Sequence, residues 1–162
     1  MNRSTVVGQE SIRPKSKISL RSLTSKAAIL EVCCFLITLL FIYAAISKLR
    51  DFSTFQLQLG QSPFITDYAV PLSYMVPIGE ILLALMLIYK PLRLIGLYGS
   101  LFTMALFTAY IYSMLNFSYY VPCSCGGILN SLSWEAHLWF NIGFVVIALA
   151  GIFIQVHFKN KA

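Results

Sequence analysis

The stretch that decides the fold is Ala27-Ala28-Ile29-Leu30-Glu31-Val32-Cys33-Cys34-Phe35-Leu36-Ile37-Thr38-Leu39-Leu40-Phe41-Ile42-Tyr43-Ala44-Ala45-Ile46. At about 1.5 Å per residue this run crosses the roughly 30 Å of hydrocarbon in a bilayer. It is too long for the core of a signal peptide, and no small-x-small cleavage site follows it. Small residues near its end, in Tyr43-Ala44-Ala45-Ile46-Ser47-Lys48-Leu49, permit close helix packing. Lys48 and Arg50 then mark the far interface.

Working outward, three further spans are expected at about 70–89, 94–115 and 134–158, giving an all-α bundle of four transmembrane helices. The second contains Pro77, which frees a backbone carbonyl, and Glu80, read as the one clearly intramembrane carboxyl. Lys90-Pro91-Leu92-Arg93 reads as a tight turn. The third span offers Gly96, Gly99 and Ser100 for close packing, with Tyr110, Tyr112, Phe117, Tyr119 and Tyr120 as an interfacial belt. Ser133 is placed to cap the fourth helix, with Glu135 in its first turn. Between the first two spans, Phe52, Phe55 and Leu59 recur at helical spacing, which predicts a short amphipathic helix on the membrane surface, ended by Pro63. Residues 1–26 read as a basic, largely disordered tail, with a short headgroup-level helix at Ile18, Leu20 and Leu23 allowed. The membrane domain is 27–158.

Composition agrees. The 162 residues are 58% hydrophobic and 11% charged, with a mean hydropathy of +0.76, against about 25% charged in soluble domains. A net charge of +6 does not indicate nucleic acid, because the basic residues sit at the edges of apolar segments. Arg3, Arg13, Lys15, Lys17, Arg21, Lys26, Lys90, Arg93, Lys159 and Lys161 fall on one side, and Lys48 and Arg50 on the other. The positive-inside rule then predicts both termini in the cytoplasm of a bacterial inner membrane. The loop containing Pro122-Cys123-Ser124-Cys125-Gly126-Gly127 faces the periplasm or exterior, where disulfides persist.

Four features carry candidate chemistry. A disulfide between Cys123 and Cys125 would close a very small ring, whose geometry makes it reducible and exchange-active. Gly126 and Gly127 leave the backbone free for such a ring. A static staple, two free thiols, or a soft-metal site completed by His137 and Met114 are the other readings of this pair. Trp134, His137 and Asn141 share one face of the fourth helix, where His137 is suited to move a proton for a thiol and the bland alternative is interhelical hydrogen bonding. Glu80 requires a partner inside the membrane, with Lys48 and His137 as the choices, in either a structural pair or proton coupling. Cys33 and Cys34 lie far from the outer loop, point about 100° apart, and read as packing residues.

Taken together, Ser47-Lys48-Leu49, Pro77, Glu80, Cys123-Ser124-Cys125-Gly126-Gly127, Leu132-Ser133-Trp134, His137 and Asn141 resemble the MauE/DoxX group of redox-associated membrane proteins over residues 27–158. The resemblance implies disulfide or electron transfer, with MauE associated with maturation of the disulfide-rich small subunit of methylamine dehydrogenase. DoxX-type relatives imply a link to quinones, although no sequence motif here marks a quinone pocket. The expected activity is thiol–disulfide exchange with an extracytoplasmic protein partner. Cys123, Cys125, His137 and Glu80 would do the chemistry, and Lys48, Gly126, Gly127, Trp134 and Asn141 would support them. A non-catalytic assembly subunit and a small proton-coupled transporter are the alternatives.

Overall fold

The computed structural model describes residues 20–118 and 133–159. Among these, four helices are long and apolar enough to cross a membrane. In chain order they are α1 (Leu20–Arg50), α3 (Ala69–Ile88), α4 (Arg93–Phe117) and α5 (Trp134–Lys159), with the short α2 (Phe52–Gly60) between the first two. Single 3₁₀ turns, Thr66–Tyr68 and Lys90–Leu92, lead into α3 and α4. The chain is therefore an all-α, multi-pass membrane bundle. Residues 1–19, which hold most of the expected tail, and 119–132, which hold Cys123, Cys125, Gly126 and Gly127, lie outside the described residues. Helix α1 begins at Leu20, earlier than the apolar run itself.

Each long helix packs on its neighbours in the chain, and α5 closes the ring against α1. The buried positions explain why. On α1 they are Leu30, Cys33, Cys34, Ile37, Phe41 and Ala45, which apart from Cys33 follow steps of three and four that draw one stripe along the helix. On α3 the stripe is Ala69, Ser73, Pro77, Glu80, Ala84 and Leu87. The α1 stripe meets Ala84, Leu87, Leu97, Met104, Ala148 and Ile152 in a single core. Phe35, Leu39, Met75, Phe102 and Phe153 point outward, as lipid-facing residues must. Cys33 and Cys34 are buried free thiols packed in this bundle, as expected of them.

Because lipid tails are as apolar as leucine, close backbone approach matters more here than apolar content. Gly96 shows it: a Cβ there would stand 3.1 Å from Met86 Cβ and 3.2 Å from the Leu87 amide nitrogen. Arg93, at the start of α4, reaches across this same end. Its guanidinium grips Glu31 of α1 with two bonds of 2.7 and 3.1 Å, while Nε donates to the Leu87 carbonyl at 3.2 Å. That carbonyl is in the last turn of α3, where helical acceptors lack intrahelical donors.

At the opposite end α2 folds down onto α3. Phe55 and Leu59 pack with Ala69, flanked by Ile65, Leu72 and Val76, and the rings of Phe52 and Tyr74 stand 4.8 Å apart. The expected amphipathic helix is present, and its apolar face is covered by protein. Ser62, beyond α2, donates to the Met114 sulfur at 3.8 Å, which ties this end of α4 to the α2–α3 connection. Ser133 caps α5 through its hydroxyl, which accepts from the Ala136 amide at 3.2 Å.

Candidate functional site

The α1 stripe ends at Ala45, and the next inward step is Lys48. On α3 the stripe places Glu80 facing it. The periodicity that builds the core therefore carries two opposite charges inside the bundle. Lys48 Nζ lies 2.8 Å from Glu80 Oε1 and 3.4 Å from the Ala44 carbonyl. Glu80 is 1% exposed. Of the two partners considered for Glu80, Lys48 holds it. The ammonium also stands 5.8 Å from the ring centres of Phe55 on α2 and Phe107 on α4, within cation–π range. Four helices thus converge on one ammonium group.

The carboxylate is only half satisfied. Oε2 of Glu80 is buried and has no hydrogen-bond partner among the described residues. One turn earlier, Pro77 has no N–H to donate to the Ser73 carbonyl, while the Ser73 hydroxyl donates to the Val70 carbonyl at 2.7 Å. The backbone ladder of α3 is thus interrupted beside the acid.

Next to this pair is a cavity of about 570 Å³, in the range of roughly 300–1,000 Å³ typical of small-molecule sites. Its walls are mostly apolar, with Phe41, Phe55, Leu72, Val76, Phe107 and Phe140 among them. Lys48, Glu80, Trp134, His137 and Asn141 are among its polar residues, with Asp51 and Gln58. The shared face expected of Trp134, His137 and Asn141 is thus a wall of this cavity, with Asn141 buried. Tyr110, expected in the interfacial belt, also lines it, because α4 presents Thr103, Phe107, Tyr110 and Ile111 on one side; Tyr112 and Phe117 do face outward.

The cavity occupies the end of the bundle at which α4 finishes and α5 begins, since Trp134 lines it and Met114 meets Ser62 there. The connection carrying Cys123 and Cys125 is covalently joined to the bundle at this end. Met114, weighed as a soft-metal ligand, is buried with its sulfur against Ser62.

Reading the sequence alone missed Glu31. Glu80 is not the sole carboxylate inside the apolar segments. Glu31 lies in α1, its side chain 57% exposed and bound to the nearly buried Arg93. The signal was a lone acid in an otherwise apolar run, and its partner stood 62 residues away in a turn read only as a topology charge. Phe55 and Phe107 were likewise not anticipated as neighbours of Lys48.

The family model described as methylamine utilisation protein MauE matches residues 26–154, which takes in nearly all of the four long helices. No curated protein and no solved structure matches the chain significantly.

Proposed function

The chain belongs to the methylamine utilisation protein MauE family, and from that premise we propose that it is a membrane thiol–disulfide oxidoreductase acting on an extracytoplasmic protein. Family membership suggests a role in methylamine utilisation. The partner that fits is a secreted, disulfide-containing subunit of that pathway, such as the small subunit of methylamine dehydrogenase. The observation that supports exchange most is the placement of the Lys48–Glu80 pair and His137 around one cavity, at the end of the bundle where the Cys123/Cys125 connection is attached.

In this reading a partner thiolate attacks one sulfur of the Cys123–Cys125 disulfide and releases the other as a thiolate. The partner's second thiolate resolves the mixed disulfide. The partner leaves oxidised, and the pair is left as a dithiol that has gained two electrons and two protons. A membrane quinone would supply the oxidant, taking up both to become the hydroquinone as the disulfide re-forms. His137 accepts and returns protons at the α5 start of the cavity, and Glu80 does so deeper in the bundle. With the basic ends of the helices inside, the pair works on the periplasmic face.

Replacement in the host tests it. Cys123→Ser/Cys125→Ser should abolish maturation of the partner, and Glu80→Gln should reduce it at least tenfold. Full function without either cysteine would sink exchange and leave an assembly subunit. Loss only on Glu80→Gln, with the cysteines dispensable, would favour a proton-coupled transporter.

A further inference from the structure

We infer that one acyl chain of a bilayer phospholipid enters the cavity through the seam between α3 and α4 and is held there as a bound lipid. The inference goes beyond disulfide exchange and does not depend on it, because it rests on the shape of that seam. On α4, Gly96, Gly99 and Thr103 follow steps of three and four and share a face; on α3, Met86, Leu83 and Gly79 do the same in the opposite direction. At the first two levels the helices touch. A Cβ on Gly96 would stand 3.1 Å from Met86 Cβ, and one on Gly99 would stand 2.5 Å from the end of Leu83. At the third level they part, since a Cβ on Gly79 would meet no atom within 4 Å outside its own stretch of helix. Gly79 and Thr103 both line the cavity. Just beyond them Met75 and Leu106 line it too, yet are 67% and 53% exposed on the outer surface of the bundle. The seam is closed toward the inner end and open at the cavity, and the missing side chain of Gly79 helps to make the gap.

The gap lies within two membrane-spanning helices, so the medium outside it is hydrocarbon. Apolar walls without neighbours forfeit dispersion contacts, and they give water few of the polar partners it needs. An alkyl chain restores those contacts. Charge points the same way: Lys48 and Glu80 neutralise each other at 2.8 Å, so the cavity holds no unbalanced charge for an ionised guest, and a chain needs none. Polarity also changes along the cavity. Leu40, Phe41 and Met104 line its deep end, whereas Asp51, Thr54 and Trp134 line it where α1 finishes and α5 begins. The chain therefore lies with its methyl end toward Phe41 and its ester end toward Trp134, a residue type suited to the level of the headgroups.

The test uses the full chain in nanodiscs of a synthetic diacyl phosphatidylcholine, doped with the same lipid carrying a diazirine in its acyl chain. After irradiation, mass spectrometry at residue level should find the label on Val76 and Phe107, which line the cavity, as well as on Phe102 and Phe153, which face bulk lipid. Gly79→Leu fills the gap without meeting a neighbour and replaces a poor helix former with a good one. Helix content should stay the same, and the label should disappear from Val76 and Phe107 while it persists on Phe102 and Phe153. Leu106→Trp narrows the mouth from the α4 side and should give the same loss, which keeps the test decisive if Gly79→Leu does not fold. Label confined to outward-facing residues in the native chain, or internal label that both variants leave unchanged, would overturn the site. Internal labelling by a diazirine fatty acid but not by the phospholipid would overturn the phospholipid as the source of the chain.

Discussion

At the scale of the residue, the molecule turns on one ion pair made inside an apolar bundle. Removing one partner of a buried pair strands the other charge, at a cost of about 3–5 kcal/mol, whereas replacing both with apolar groups of similar size is often neutral. Lys48→Met alone should therefore lower thermal stability in detergent sharply, and Lys48→Met/Glu80→Leu should recover most of it. Stability restored while activity stays lost would identify the pair as functional, and restored activity would mark it as structural. Glu31 and Arg93 call for a different expectation. Glu31 is more than half exposed, so Glu31→Gln should cost under about 1 kcal/mol. Arg93→Met should cost more, since it also strips the donor from the Leu87 carbonyl. Equal losses in the two variants, measured by thermal unfolding, would contradict this ranking.

At the scale of the element, the contact between α3 and α4 depends on the smallness of Gly96. A side chain there presses on the Met86 Cβ and the Leu87 backbone, neither of which can rotate away. Gly96→Val should thus destabilise by about 1–3 kcal/mol, as overpacking does. At Gly99 the obstacle is the end of the Leu83 side chain, 2.5 Å from where an added methyl would stand but free to change rotamer. Gly99→Ala should therefore cost less than Gly96→Ala. If thermal shifts place Gly99→Ala as the worse of the two, the packing account is wrong. The elements themselves were legible in the sequence because lipid imposes a length and a composition on every span. The amphipathic period of Phe52, Phe55 and Leu59 predicted α2 equally well. Its docking on Ala69 and Val76 was not legible, because a helical stripe has the same period whether it meets headgroups or protein. Glu31 with Arg93, and Phe55 and Phe107 around Lys48, stayed hidden for a related reason. Each pairing depends on helices that neighbour one another only in the folded ring.

At the scale of the whole molecule, both functional readings depend on which way the bundle stands. The basic residues at one end, among them Lys26, Lys90, Arg93 and Lys159, predict that this end is cytoplasmic. In cells treated with reductant, a membrane-impermeant maleimide should then label Cys123 and Cys125 from outside, while the buried Cys33 and Cys34 stay unmodified. Labelling that requires permeabilised membranes would invert the molecule and place the pair in a reducing compartment. Charge and cavity come together at the opposite end, where α4 finishes and α5 begins. The exchange itself is tested most directly by covalent trapping in a Cys33→Ala/Cys34→Ala background. With Cys123→Ser, the account predicts a reductant-sensitive adduct between Cys125 and the secreted disulfide-containing partner, which vanishes when Cys125 is also replaced. Failure to form any such adduct, together with full maturation of the partner when both loop cysteines are absent, would contradict it.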